Sequence, residues 1–137
     1  TRPSRVLKVE ANIPAMAHRN TAAYKAAERA GRRAETLTKF LYFLTGYICV
    51  ATRQKTPFGE LDLILRRRQT ILILEVKYRR HLESAESGIP SARQLARMRK
   101  AVSWMMAHHY AFKGKQIHLR LVQWSGWGRL RQTEIRF

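Results

Sequence analysis

Two carboxylates and a lysine stand at the ends of two apolar segments. Asp62, the only aspartate of the chain, precedes an apolar run at 63–65, and Glu75 and Lys77 end a second run that begins at Ile71. Two carboxylates provide the hard oxygen ligands that Mg²⁺ or Mn²⁺ takes together with water and substrate phosphate. Such an ion polarises a phosphodiester and supplies hydroxide near neutral pH. Lys77, roughly 6.6 Å beyond Glu75 on the same strand face, can reach the attacking water and stabilise the developing charge.

A plainer interpretation makes Glu60 and Lys77 a cross-strand ion pair and leaves Asp62 and Glu75 as acids at strand ends. It is disfavoured because isolated charges are costly to bury at the end of apolar strands. The first interpretation predicts metal-dependent phosphodiester hydrolysis.

The two segments are predicted to form a β-hairpin with a short basic turn. A four-residue loop would pair Arg66 with Ile71, and a two-residue loop, Arg68-Gln69, would produce the same register. The longer loop is favoured because Arg68-Gln69 lacks the Gly or Asn of tight turns. Strict alternation places Glu60, Asp62 and Ile64 on one face, and Leu61, Leu63 and Leu65 on the other. The register sets Asp62 opposite Glu75, with Cβ atoms roughly 4.5–5.5 Å apart.

Helices and further strands surround this hairpin. A helix is predicted over 21–45, with Thr21 as N-cap and Gly46 as C′ residue; a start at Gly31 is the alternative, because glycine weakens a helix interior. Its apolar stripe is formed by Ala23, Ala27, Ala30, Ala34, Leu37, Leu41 and Leu44. By angle alone, Glu35 points away from the leucines of that stripe. Further strands are predicted over 47–53, 116–124 and 130–137, with a loop over 81–90.

A second helix is predicted over 91–109, with Ser91 as N-cap. Its apolar stripe consists of Leu95, Met98, Val102, Met105 and His109. Arg93, Arg97 and Lys100 lie on the opposite side, where they are either solvated or bind phosphates. Trp124 and Trp127 could stack on bases, but packing in the core or hairpin is favoured.

Composition indicates the class of partner. With 27 Lys and Arg against 9 Asp and Glu, the chain carries a net charge of +18. This excess predicts a polyanionic partner, nucleic acid above all, against the plainer interpretation of a basic solvated surface. No segment approaches the ~20 apolar residues of a membrane span, so no membrane is expected. The single cysteine, Cys49, excludes an internal disulfide, and with no signal-peptide pattern in view we expect a cytoplasmic protein.

The sequence is also similar to a known family. Asp62 followed by Glu75-Val76-Lys77 resembles the PD-(D/E)xK signature of restriction-endonuclease-like nucleases. A longer set of segments resembles the YraN-like family of small bacterial proteins: Gly31-Arg32-Arg33-Ala34-Glu35, Gly46-Tyr47, Phe58-Gly59-Glu60-Leu61-Asp62-Leu63-Ile64 and Leu74-Glu75-Val76-Lys77-Tyr78-Arg79.

The resemblance implies an α/β fold of the restriction-endonuclease-like type, a mixed β-sheet flanked by helices. It implies an Mg²⁺- or Mn²⁺-dependent endonuclease, with DNA favoured over RNA and with structured or branched and linear substrates both left open. Asp62 and Glu75 would bind the metal, Lys77 would be the catalytic lysine, and Glu35 would match an acid that related resolvases bring from their first helix. The resemblance is followed for Glu35, against the angle argument.

The chain departs from the family in its basic start and in Arg120, which stands where relatives often carry an aspartate. We expect a basic N-terminal extension at 1–20 and a single nuclease-like domain at 21–137, as a monomer or homodimer. Two rival functions stay open: a non-catalytic nucleic-acid-binding module, and an accessory protein whose basic surface binds an acidic partner protein.

Overall fold

The computed structural model describes residues 16–79, 90–126 and 128–136, with side chains from 21 onward. The elements are, in order, helix α1 (Met16–Leu44), strands β1 (Ile48–Thr56), β2 (Gly59–Arg67) and β3 (Thr70–Arg79), helix α2 (Ala92–His108), a 3-10 turn (Tyr110–Phe112), and strands β4 (Gln116–Ser125) and β5 (Arg129–Ile135). The predictions for residues 1–15, the loop at 81–89 and Trp127 lie outside the described residues.

One five-stranded mixed sheet, in the order β1-β2-β3-β4-β5, organises the fold. β3 and β4 are parallel, and the other neighbours are antiparallel. A parallel pair needs a long crossover, and α2 lies within it. The carboxyl ends of β3 and β4 therefore meet at one edge. This α/β arrangement is consistent with a restriction-endonuclease-like fold, as the sequence predicts.

The sheet separates two apolar clusters. Residues of β2, β3 and β4 pack with α1 on one face, including Leu63, Leu72 and Val122. The other face packs against α2, through residues that include Ile64, Ile73 and Leu119. The faces are called the α1 face and the α2 face below. Burial on both faces explains why β2 and β3 are nearly continuous apolar runs.

The predicted register of the hairpin is confirmed, and its predicted turn is wrong. β2 and β3 pair from Leu63↔Leu74 to Arg67↔Thr70, which leaves a two-residue turn. Arg68 has a left-handed backbone conformation, with φ 51°, at a turn position that glycine usually occupies. Such a backbone costs about 1 kcal/mol. Arg67 is the last residue of β2, and its guanidinium lies 4.3 Å from the centroid of the Tyr47 ring.

The predicted alternation of β2 fails at Asp62. Leu61 packs on the α2 face, whereas Leu63 and Leu65 pack on the α1 face. The paired residues of β2 and β3 run no further than Leu63↔Leu74, so β2 is released from β3 at Asp62. Local separation allows the strand to rotate, which sequence periodicity cannot show.

The predicted start and apolar stripe of α1 are also wrong. The helix begins at Met16 and not at Thr21. It buries Ala34, Thr38 and Tyr42 and leaves Leu37 50% and Leu44 65% exposed. Small residues let α1 approach the sheet closely, and Thr38 Oγ1 accepts a hydrogen bond of 2.7 Å from Trp124 Nε1. The buried position of Trp124 confirms its predicted packing role.

The C-terminal end of α1 and the N-terminal end of α2 follow the predicted caps. Gly46, at φ 92°, donates to Phe43 O, and Tyr47 N donates to Tyr42 O, which is a Schellman motif. Ser91 caps α2 in a capping box with Gln94. Met98, Val102 and Met105 of the predicted α2 stripe are buried, and Ala101 joins them. His109 is exposed and lies beyond the helix, so its place in that stripe is wrong.

Candidate active site

Asp62 lies where β2 leaves β3. Its Oδ2 accepts a hydrogen bond of 2.8 Å from the backbone N–H of Val76, a group that β2 no longer pairs. This contact fixes the carboxylate between the two strands. It also holds Asp62 beside Glu75, the residue that precedes Val76 in the chain.

Glu75 is almost completely buried, at 7% exposure. Its Oε1 lies 3.6 Å from Lys77 Nζ, and its Oε2 is buried without a hydrogen-bond partner in the described residues. An unsatisfied buried carboxylate oxygen costs free energy and needs an explanation. A ligand that approaches Oε2 would provide one.

The electrostatics of the two acids favour a cation between them. Burial, and then the nearby Asp62 carboxylate, raise the pKa of Glu75 to about 7, against the opposing effects of Lys77 and Arg97. Burial also raises the pKa of Asp62, while the Val76 N–H lowers it and Glu35 raises it further. Asp62 and Glu75 are called the carboxylate pair below.

A divalent ion fits this pair. The buried oxygen of Glu75 lacks a partner, and hard oxygen ligands suit Mg²⁺ or Mn²⁺. No group of three or more His, Cys, Asp or Glu side chains placed to hold a metal occurs among the described residues. Mg²⁺ commonly uses one or two carboxylates and completes its coordination with water and phosphate, so two protein ligands are sufficient.

Lys77 lies at the edge of the site, with its side chain 42% exposed. Its ion pair is with Glu75 on the same strand. Glu60, its predicted partner in the plainer interpretation, is exposed and forms no ion pair within the described part of the chain. The exposed part of the Lys77 side chain can therefore contact a ligand that approaches the carboxylate pair.

Glu35 joins the surroundings of the site from α1. Its carboxylate raises the pKa of Asp62, and its Oε2 accepts hydrogen bonds of 3.3 Å from Arg53 Nε and Nη2. Its side chain is only 20% exposed. Glu35 is therefore largely buried beside Arg53, while the helix angle turns it away from the exposed leucine stripe.

Arg53 is a residue that the sequence analysis missed. It lies across from Asp62 in the β1–β2 register and has a left-handed φ of 48°. A strained non-glycine residue next to a charged cluster often marks a functional site. Glu35 and Arg53 line a cavity of about 330 Å³ whose further residues are Arg32, Thr36, Lys39, Thr52 and Leu63. We call it the basic cavity.

The predicted basic face of α2 divides into two parts. Arg97 is half-buried, its Nη1 lies 3.4 Å from Phe58 O, and its charge lowers the pKa of Glu75. Arg93 and Lys100 are exposed. The fold therefore brings Arg97, and not the other two, towards the carboxylate pair.

Gly59 makes room for Arg97. A Cβ at Gly59 would collide with Arg97 Nη1, and its φ of 119° suits glycine alone. The sequence signal was Gly59 itself, directly before the acids of β2. Its purpose becomes visible only when α2 is packed against the hairpin.

Comparisons with known proteins find a matching family model and several relatives. A family model described as "Uncharacterised protein family UPF0102" matches residues 34–125. A UPF0102 protein of Parvibaculum lavamentivorans is 38% identical over 104 residues, which cover 75% of this chain and 77% of that protein. One of Nitrobacter winogradskyi is 39% identical over 83 residues, covering 61% and 70%.

A third relative, a UPF0102 protein of Caulobacter vibrioides, is 33% identical over 98 residues, or 71% of this chain and 77% of its own length. The range matched by the family model holds Glu35, the carboxylate pair, Lys77 and Arg97. The chain belongs to the uncharacterised protein family UPF0102, the YraN-like family that its motifs resemble.

Proposed function

We propose that this protein is a metal-dependent endonuclease that hydrolyses phosphodiester bonds in DNA. The observation that carries the proposal is the carboxylate pair, in which the buried Glu75 Oε2 has no partner and Lys77 lies 3.6 Å from Oε1. The net charge of +18 supports a polyanionic substrate.

Asp62 and Glu75 would hold Mg²⁺ or Mn²⁺. When bound, the ion would neutralise the pair, polarise the phosphodiester and lower the pKa of water. The protein's own part is to keep both carboxylates in place before the substrate arrives. The hydrogen bond from Val76 N does this for Asp62, and burial in β3 does it for Glu75.

Lys77 has the position and chemistry of a group that acts on the attacking water. Its ammonium is half-exposed, so water and phosphate can reach it while it contacts Glu75. A compact cation with three donors orients the water and stabilises negative charge in the transition state. Lys77 would therefore orient the attacking water on the solvent-exposed side of the carboxylate pair.

Phosphates next to the reacting one would meet Arg97 and the basic cavity. Arg97 lies over the Gly59 turn on the α2 side. Arg32, Lys39 and Arg53 lie in the basic cavity on the α1 side. Glu35 orients Arg53 through two contacts of 3.3 Å, so it acts as a positioning residue for a phosphate-binding cation.

A nuclease assay with Mg²⁺ and Mn²⁺ on single-stranded, duplex, flap and four-way substrates tests the proposal. Wild type should cleave at least one substrate, and Asp62→Asn and Glu75→Gln should not. Glu134→Gln is the matched control because Glu134 is an exposed acid paired with His118. Cleavage by wild type and both site variants alike would contradict the proposed site.

A second candidate is a non-catalytic nucleic-acid-binding module with the same fold. The net charge of +18 supports it equally, because phosphate binding requires no cleavage. Salt-dependent DNA binding without cleavage under any of these conditions would select this alternative.

A further inference from the structure

A second cavity opens on the α1 face at the carboxyl ends of β3 and β4. Its volume is about 240 Å³, and its walls include Arg33 and Leu37 of α1, Tyr78 of β3, Trp124 of β4 and Gly126 and Gly128 of the following turn. It is called the aromatic pocket below. None of the residues that form the carboxylate pair or the basic cavity lines it.

Two rings among the described residues line the aromatic pocket, and they differ in exposure. Trp124 is 8% exposed and is held by the 2.7 Å hydrogen bond from its Nε1 to Thr38. Tyr78 is 39% exposed, so its ring is available to a ligand. The fixed ring forms an inner wall and the open ring can close on a planar group. Aromatic side chains in this arrangement are suited to stacking.

Small residues form much of the wall of the aromatic pocket. Ala30 and Ala34 face the pocket from α1, and two glycines face it from the β4–β5 turn. Gly128 has φ 76°, and a Cβ there would meet no atom within 4 Å, so the turn is open as well as glycine-dependent.

The pocket and the carboxylate pair are joined through consecutive residues of β3. Lys77 precedes Tyr78, and their Cα atoms are about 3.8 Å apart. Successive side chains of a strand point to opposite faces. Val76 packs on the α1 face, so Tyr78 lies on that face too, and Lys77 and Glu75 lie on the other. A polymer crossing the end of β3 would therefore meet cations and carboxylates on one side and rings on the other.

We propose that the aromatic pocket receives one unstacked nucleobase of the nucleic acid bound at the carboxylate pair. The pocket offers aromatic faces, which every base can stack on, and Arg33 at its rim offers a cation for the adjoining phosphate. None of the described residues that line the pocket is acidic. The inference rests on the proposed function in that the bound polymer is nucleic acid, and it narrows the substrate to strands with unpaired bases.

A metal-free binding experiment separates this inference from catalysis. Fluorescence anisotropy in EDTA would compare wild type with Tyr78→Ala on a single-stranded oligonucleotide and on a fully abasic oligonucleotide of the same length and charge. Loss of a base–aromatic stack should weaken binding of the normal oligonucleotide about 5- to 100-fold. Binding of the abasic oligonucleotide should stay unchanged.

Two further variants act as controls. Tyr78→Phe keeps the ring and should bind like wild type. Tyr110→Ala removes a tyrosine that is 88% exposed on the 3-10 turn and does not line the pocket, so both oligonucleotides should bind unchanged. A Tyr78→Ala protein that binds both oligonucleotides like wild type, or loses affinity for both equally, overturns the inference.

The result is independent of whether the proposed nuclease is active. Tight wild-type binding with a base-dependent loss in Tyr78→Ala supports the pocket even if no substrate is cut. Metal-dependent cleavage with no base-dependent loss overturns the pocket and leaves the nuclease proposal standing. Wild type that binds the normal and abasic oligonucleotides equally well also overturns it.

Discussion

The two ends of the β2–β3 hairpin have opposite properties. Near the turn, the strands pair without interruption from Leu63↔Leu74 to Arg67↔Thr70. At the other end the ladder stops, the Asp62 carboxylate takes the N–H of Val76, and Glu75 keeps a buried oxygen without a partner. The backbone groups of the paired end form hydrogen bonds and contribute stability, whereas the open end leaves the buried Glu75 Oε2 unsatisfied. The residues proposed to bind metal therefore lie at the end of the hairpin where the backbone ladder stops.

The largest effect is expected at the open end, in catalysis. If Lys77 acts on the attacking water, Lys77→Ala should lower the cleavage rate ~10²–10⁴-fold, the range for a placed acid–base group. DNA affinity should change little because Lys77 is one of 27 Lys and Arg. Single-turnover cleavage, binding and thermal melting together measure this.

The plainer role of Lys77 makes the opposite set of predictions. A purely structural Lys77 would show lost stability with unchanged cleavage, and that result would contradict a catalytic role. Lys115→Ala is the control because Lys115 contacts Gln69 near the turn, at the paired end of the hairpin.

The next largest effect concerns the stability cost of the buried carboxylate of Glu75. Its ordinary pKa of 4.5 rises to about 7 in the folded protein. Between these values the folded state binds more protons than the unfolded state, so stability falls as pH rises. The full difference amounts to about 3 kcal/mol above pH 7.

Glu75→Gln should remove this penalty. In EDTA, the variant should gain up to about 3 kcal/mol over wild type at pH 8 and almost nothing at pH 4. Denaturant unfolding at the two pH values measures the gain, with Glu134→Gln as the control for removal of an exposed carboxylate. An equal effect of Glu75→Gln at both pH values would show that Glu75 carries no such penalty.

A smaller effect is expected at Gly59, where the open end meets α2. Gly59→Ala forces a side chain into φ 119° and displaces the guanidinium of Arg97, so it should destabilise the fold by about 1–3 kcal/mol. Gly31→Ala is the matched control because nothing lies within 4 Å of a Cβ there, and helix propensity predicts a gain of about 1 kcal/mol. Thermal melts of both variants test this, and similar melting temperatures would contradict it.

The smallest effect concerns phosphate contacts. Arg97→Ala should flatten the slope of log K against log salt for duplex DNA by about 0.9. Arg99→Ala is the control from the same helix, because Arg99 points the other way and contacts Arg136 O at 3.1 Å. Equal slopes for Arg97→Ala and wild type would remove Arg97 from the DNA-binding surface.

Features that depend on neighbours along the chain could be predicted from the sequence. The β2–β3 register follows from a short turn, and the caps at Gly46 and Ser91 follow from local backbone needs. The short turn also brings Asp62 near Glu75, but the ladder ends at Leu63↔Leu74, and the hydrogen bond that Val76 N donates to Asp62 Oδ2 completes the approach. The two-residue turn was the less favoured alternative because Arg68 adopts a backbone conformation that usually selects glycine or asparagine.

Features that depend on distant segments were decided by the tertiary structure. Packing chose Ala34, Thr38 and Tyr42 as the buried face of α1, although the leucine stripe of that helix is more apolar. The same choice turned Glu35 towards Arg53 and Asp62. The aromatic pocket likewise exists only because the parallel pairing of β3 with β4 places Tyr78 beside Trp124. The periodicity of a helix indicates which residues could be buried. The packing of the helix against the sheet determines which residues are buried.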